Sequence, residues 1–410
     1  MAVSGGSPSF TTITTTSDAS ISGLTVGKGA GANAYNTTVG SAALAGSNTG
    51  ANNTAIGYGT LFSNTSGASG TAVGTSALLV NSTGSYNTAV GHQALTSNTT
   101  ASNSVAIGYQ ASYSSTLATG VTSIGYQANY NMVTTGNTYS TAVGFQAAKG
   151  ASGSLNYGDV AVGAFALTAV TTGANNVAVG YQTLQANTTA SNNTAVGYQA
   201  GYNTTTGASN TVIGYQAGYN LTSGASNVII GPAAGAGTTP ITSGSYNVII
   251  GQNTGLSAAT DSYSILISGN TSAGGKGGST GFIQPGGGGV YQGNNQTLWS
   301  VASDQRLKKN IVDHTEGLDK IIQIRVRNFE YRTEDEVTDL PKSQAVAIEG
   351  VQLGVIAQEL QAVLPDCVKE ETTGVLSVQA DSITWHMVNA IKDLKAELDT
   401  VKAELAALKG

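Results

Sequence analysis

The first 302 residues contain no arginine and no glutamate, and their only carboxylates and lysines are Asp18, Asp159, Asp261, Lys28, Lys149 and Lys276. Without a basic stripe this surface cannot neutralise a phosphate backbone, so nucleic acid is excluded as a partner. The scarcity of carboxylates also argues against a sugar-cleaving rod. Glycoside hydrolysis generally needs two carboxyls about 5–10 Å apart, and these three are scattered over many repeats. Cysteine is nearly absent: Cys367 stands alone, which rules out an intrachain disulfide and leaves a small core residue as its simplest role. No apolar run approaches the 18 or so residues of a membrane helix, and Met1–Thr16 has neither a basic n-region nor an apolar h-region. Synthesis in a cytoplasm with no membrane insertion is therefore expected, with exit by another route such as host lysis. His92 has no Cys or Glu near it in sequence, so no metal ligand set and no cofactor is expected.

Charge is instead concentrated in residues 303–410, which hold 19 acids and 13 bases and so the whole net charge of −6. That break divides the chain. Residues 1–32 read as an N-terminal arm or attachment segment, 33–268 as a repetitive shaft, 269–302 as a Gly-rich tip or linker, and 303–410 as a globular domain. In the Gly-rich stretch Phe282, Tyr291 and Trp299 are the candidate receptor contacts, since loops on a rigid support usually carry recognition.

In the shaft the unit Asn-Thr-Ala-Val-Gly-Tyr-Gln-Ala recurs with small variations, its glycine falling at thirteen positions from Gly40 and Gly57 to Gly231 and Gly251; nine of the twelve spacings are 17 residues. A period this short marks a solenoid, one coil per repeat. The residue before each glycine is Val or Ile, and the residue three before is Thr or Val. These β-branched positions share one strand face, because side chains alternate with period two. The residue between them is mostly Ala, which predicts a second, nearly flat face that another surface can approach. Seventeen residues suit two short strands and two turns. At about 4.8 Å per coil, thirteen coils make a rod roughly 60 Å long, with Ser264–Ile267 adding a last coil. Exposed strand edges at its ends favour an assembled fibre over a free monomer.

Two further columns stand out. Four residues before the glycine, Asn occurs in eight units, and directly after it Tyr occurs in six: Tyr58, Tyr109, Tyr126, Tyr181, Tyr198 and Tyr215. A stacked amide ladder is the simplest role for the first. The second could stack on sugar rings, but packing at a coil corner or between subunits is the expected role. The segments Asn103–Ala111 and Asn192–Ala200 resemble the head repeats of trimeric autotransporter adhesins. That resemblance implies a trimeric parallel β-roll over residues 33–255.

Residues 303–410 read as a small α+β domain: a helix over 318–324, a strand over 326–331, a strand running into a helix over 351–364, a strand at 376–378 and a long helix from about Asp381. In that helix Met387, Ile391, Leu394, Leu398, Val401, Leu405 and Leu408 alternate steps of four and three, a three-heptad coiled-coil seam. At the boundary, Ser303 and Lys308 have two readings. One is a helix-cap serine beside a solvated lysine. The other is a serine nucleophile with a lysine base, which works when burial or nearby positive charge such as Arg306 and Lys309 lowers the amine's pKa.

Four segments, Ser303–Ile311, Asn328–Tyr331, Gly354–Leu360 and the terminal helix, together resemble the intramolecular chaperone domain, a self-cleaving serine peptidase, at the C-termini of phage tail fibres, tailspikes and endosialidases. The resemblance implies a homotrimeric chaperone ending in a trimeric coiled coil and a single-turnover cut at Ala302–Ser303, with Ser303 as nucleophile and Lys308 as general base. It also implies a virion tail fibre made in a host cytoplasm, whose partners are tail or baseplate proteins and a glycan or protein receptor on the host. A bacterial trimeric surface adhesin or structural fibre is the alternative, and a glycan-degrading tailspike the second.

Overall fold

The computed structural model describes residues 18–21, 24–31, 33, 35–133, 135–155, 157–269, 274–284, 290–292, 300–301, 305–340, 346, 348–371 and 374–409. Two compact units divide the chain, residues 1–302 and 303–410.

The first unit is a β-solenoid. Fourteen short strands, from Thr37–Val39 to Ile265–Ser268, stack in one parallel sheet at one strand per turn. Their register follows the repeat, with Thr37 beside Thr54 and Ala55 beside Ala72. The expected second strand is missing from most coils. Among the described residues it occurs once, where Leu117–Thr119 pairs with Thr135–Asn137. Elsewhere the rest of each coil is turns that still bond to the next coil, as in Leu61 N to Ala77 O at 3.1 Å and Leu78 N to Ala94 O at 3.0 Å.

The repeat glycine forces those turns. Gly91 has φ +136°, and a Cβ there would lie 2.4 Å from the carbonyl oxygen of Gly108 in the next coil. Only glycine tolerates both conditions. Gln93 and Leu95, two and four residues on, also take positive φ (57° and 50°), so the chain cannot resume an extended path.

The flat Ala face of each strand is the inner one. Ala55, Ala72, Ala89 and Ala106 are completely buried, while the β-branched residues flanking them point outward; Ile56, Ile107, Ile124, Val196 and Ile213 are 37–39% exposed. The coil is too thin to hold two large side chains across its width. Where the inward strand residue is Ala55, Ala72 or Ala89, the residue facing it beyond the turn is Leu61, Leu78 or Leu95. Where it becomes Val212, Ile229 or Ile249, the turn position becomes Gly218, Gly235 or Gly255. A Cβ on Gly218 would already touch Val212 at 3.1 Å and Ile229 at 3.4 Å. Volume is conserved across the core, as close packing requires. Between the two apolar clusters sits a polar joint, with Ser112 Oγ 2.7 Å from Ser123 Oγ and Asn129 Nδ2 donating to Ser123 Oγ at 2.8 Å.

Buried amides hold the coils in step. Asn53 N donates to Asn36 Oδ1 at 2.9 Å, and Asn210 donates to Asn193 Oδ1 from both its backbone and its side chain. A second ladder runs through Asn48, Asn64, Asn81 and Asn98. Tyr109 stacks on Tyr126 at 5.2 Å and Tyr181 on Tyr198 at 5.4 Å, so the aromatic column uses its own ring faces.

The ends are covered by antiparallel strands. Ala19–Ile21 and Leu24–Gly27 form a hairpin whose second strand lies against Thr37–Val39. At the other end Gly281–Gln284 adds in parallel to Ile265–Ser268, and Val290–Gln292 and Ser300–Val301 follow antiparallel. The described parts of the arm and of the Gly-rich stretch are therefore sheet. They manage the edges that a parallel stack leaves open.

Asp159 occupies a rung where other coils place Asn. Its Oδ1 accepts from Asn176 N at 2.8 Å, but its buried Oδ2 has no partner. At the equivalent atom Asn176 Nδ2 donates to the carbonyl of Ala190. Burial pushes the Asp159 carboxyl up to about 7, against the opposing Asn176 hydrogen bonds. A raised carboxyl favours the fold when protonated, so its contribution is full below about pH 4 and lost as pH rises through about 7. Asp159→Asn is therefore expected to stabilise the solenoid at pH 8 by on the order of 1–4 kcal/mol and to leave it nearly unchanged at pH 4, read by thermal or denaturant unfolding at both pH values.

Candidate self-processing domain

The second unit is built around a small core. Leu360, Leu364 and Cys367 are buried, with Ile321, Ile324, Val355, Val378 and Ile383 packed against them. Its helices are α1 (Leu318–Ile321), α2 (Ala357–Val363) and α3 (Ala380–Lys409). Its strand pairs are Arg327–Phe329 with Gln352–Gly354 and Val368–Glu370 with Leu376–Val378, both antiparallel. The first pair joins two of the motifs singled out in the sequence. Arg327 then grips Glu359 on α2 through two hydrogen bonds, Nε to Oε2 at 3.1 Å and Nη2 to Oε1 at 2.7 Å. That contact, with further help from Arg325 at 3.6 Å, holds the Glu359 carboxyl below its ordinary range. Burial and the neighbouring Asp366 push the Cys367 thiol up to about 11, which suits an inert core residue.

At the start of the unit Gln305–Leu307 form one 3-10 turn, closed by Lys308 N donating to Gln305 O at 3.0 Å. The chain therefore turns back between the two expected catalytic positions. Lys308 itself is exposed, and the single chain does not bury it. Ala302 and Ser303 lie outside the described residues, as does Trp299 and the side chain of Tyr291. Phe282, expected as a receptor contact, is only 5% exposed and closes the apolar core of the solenoid. It is a packing residue whose ring also faces the Lys276 ammonium at 4.7 Å.

α3 meets the rest of the unit through its first turns. His386 and Ala390 are its buried residues, and the strap before α1 lies directly on them. Asn389 Nδ2 donates to the carbonyl of His314 at 2.8 Å, and Leu318 N donates to Asp393 Oδ2 at 2.9 Å. Beyond these turns the seam residues Met387, Ile391, Leu394, Leu398, Val401, Leu405 and Leu408 are 47–85% exposed.

One cluster was not legible in the sequence. His314, Asp366 and His386 place ligand-type atoms within 4.8 Å of one another, although 72 residues separate the two histidines. Their sequence spacing matches no ligand motif, and only the strap-to-helix packing unites them.

Residues 303–369 match the family model described as chaperone of endosialidase. The chain thus carries a chaperone-of-endosialidase domain beginning at the boundary between its two units, behind a β-solenoid of about fourteen turns with 17-residue spacing.

Gly317 marks the close approach of strap and helix: a Cβ there would lie 2.2 Å from Asp393 Oδ2 and 2.9 Å from Ala390 N. Gly317→Ala is expected to lift the strap from α3 and destabilise the second unit by about 1–3 kcal/mol. The solenoid's unfolding should be unaffected. Denaturant unfolding followed by the fluorescence of Trp385, on α3, checks the first effect.

Proposed function

We propose that this protein is a homotrimeric tail fibre of a tailed phage, with the solenoid as a receptor-binding shaft and residues 303–410 as an intramolecular chaperone that cuts itself off at Ala302–Ser303. The observation that carries the reading is the chaperone-of-endosialidase match beginning at residue 303, where the two compact units divide. The unpartnered apolar seam of α3 supports assembly through that helix. So do the outward Val and Ile rows of the solenoid, a continuous apolar strip along the sheet.

In this reading Ser303 Oγ attacks the Ala302 carbonyl while Lys308 takes the hydroxyl proton; the Ala302–Ser303 C–N bond then breaks as that proton passes to the Ser303 nitrogen, leaving Ala302 joined to Ser303 Oγ as an ester. Water hydrolyses the ester, giving a carboxylate at Ala302 on the solenoid and a chaperone that begins with the free hydroxyl and amine of Ser303. Lys308 is solvent-exposed in the single chain, so its activation waits for burial by neighbouring subunits. Cutting is thereby tied to assembly.

Intact-mass measurement of the freshly made protein beside Ser303→Ala tests the cut. The expected result is two wild-type fragments meeting at Ala302/Ser303 and one intact variant chain; a full-length wild type would remove the catalytic roles of Ser303 and Lys308. Leu398→Asp tests the coupling. Because Leu398 is 47% exposed in the single chain, the charge should spare the domain's own fold, convert trimer to monomer by light scattering, and stop the cut. Cleavage by a monomer would sink the coupling.

A further inference from the structure

We propose that His314, Asp366 and His386 form a binding site for a divalent transition-metal cation of the zinc type. His386 is 2% exposed and sits between the other two. Its Nε2 is 3.0 Å from Asp366 Oδ2, and its Nδ1 is 3.2 Å from His314 Nε2 and 3.3 Å from the carbonyl oxygen of Glu316. Four-coordinate zinc with bonds of about 2.0–2.1 Å sets its ligand atoms roughly 3.3 Å apart. His386 Nε2 and Asp366 Oδ2 already have nearly that spacing at 3.0 Å, and a ring nitrogen of His314 completes a set whose atoms all lie within 4.8 Å of one another.

The hydrogen bonds of His386 accommodate the site with and without an ion. A neutral imidazole donates from one nitrogen and accepts at the other. Without an ion, Nε2–H donates to Asp366 and Nδ1 accepts from His314 Nε2–H. With a cation on Nε2, shared with Asp366, Nδ1–H donates to the Glu316 carbonyl, the usual orienting contact of a metal-bound histidine, and the exposed His314 supplies the third ligand. The experiment separates the two.

The site is reachable. It opens on a cleft of about 720 Å³ whose lining includes His314, Asp366, Trp385, His386 and Asn389. Water in that cleft supplies the fourth ligand. Two histidines and one carboxylate, borderline and hard donors with no thiolate, suit Zn²⁺ or Co²⁺ over Ca²⁺ or Mg²⁺. The neighbouring Cys367 is buried in the apolar core. The ion would tie together the strap before α1, the turn after α2 and the first turns of α3. It would thus fix the base of the helix on which assembly is proposed to depend.

The full chain, stripped with a chelator, would be titrated with Co²⁺ while following its visible absorption, and with Zn²⁺ against a chromophoric competitor. The expected result is one ion per chain with a four-coordinate Co²⁺ spectrum, and a rise in the melting temperature of the second unit with Zn²⁺. His314→Ala and Asp366→Asn, both at exposed positions, should each weaken binding by roughly tenfold or more while the metal-free domain stays folded. His92→Ala, in the solenoid, should bind as wild type. His386→Ala is not relied on, because its burial makes loss of fold a competing cause. Absence of stoichiometric Co²⁺ and Zn²⁺ binding, or equal binding by His314→Ala, would overturn the site and leave the Asp366–His386–His314 hydrogen-bond chain as the account of the cluster.

Discussion

The solenoid depends on one close approach. At each coil a glycine in a left-handed conformation lies against the carbonyl of the corresponding glycine in the next coil, with no room for a Cβ. That contact fixes the turn after every strand, and the turn fixes the thickness of the coil. The thickness in turn decides which side chains fit inside. A thin coil admits Ala opposite Leu or Ile opposite Gly, and nothing larger together. The same thinness leaves no interior for an ion pair. Buried polarity is instead carried by amides, which donate and accept along the stack and so satisfy one another rung by rung. Asp159 breaks that pattern, because a carboxylate can only accept.

Much of this was legible because a solenoid writes its geometry in columns. The period, the parallel sheet, the last coil at Ile265–Ser268 and the Asn ladder all follow from residues that recur at fixed offsets. The direction of the strand faces did not. Thr54 and Ile56 look like core residues and Ala55 like surface by ordinary β-propensity, and the structure inverts both. Propensity describes what suits a half-buried pleat, whereas the width of this lumen is set by Leu61 and its equivalents five residues beyond the strand. The clue was the exchange from Ala178 with Leu184 to Val212 with Gly218 and Ile229 with Gly235. It needed the two columns to be read as facing one another.

In the second unit the local motifs placed the strand and helix pieces to within a few residues. α1 is shorter than its apolar run, ending at Ile321, because a lone turn keeps only the residues that dock on α3. The histidine cluster was invisible for a different reason. Its members sit on a strap, a 3-10 turn and a long helix, and no periodicity relates such elements. Their meeting is a consequence of Gly317 allowing the strap to touch the α3 backbone. Phe282 illustrates the opposite error, an aromatic in a Gly-rich stretch that looked exposed and instead seals the end of the core.

Near-identical coils pose a folding problem that the fold partly answers itself. If every unit were the same, a chain that looped out one repeat would lose little contact energy, and register would be weakly specified. The irregularities remove that degeneracy. Ser123 finds hydrogen-bond partners only at Ser112 and Asn129, so shifting it by one coil would set its hydroxyl among Ala and Leu. Ile229 fits only over Gly218 and Gly235, and a shift toward Leu184 would overfill the lumen. The longer coils around Thr135–Asn137 add a strand pair that no other coil can match. These features set register within one chain, but they form only after long-range pairing has begun, and such pairing is slow. Nothing in them aligns one chain with another. In the proposed trimer the exposed apolar seam of α3 would supply that missing alignment, which is the physical task the chaperone-of-endosialidase domain would have beside a solenoid of this composition.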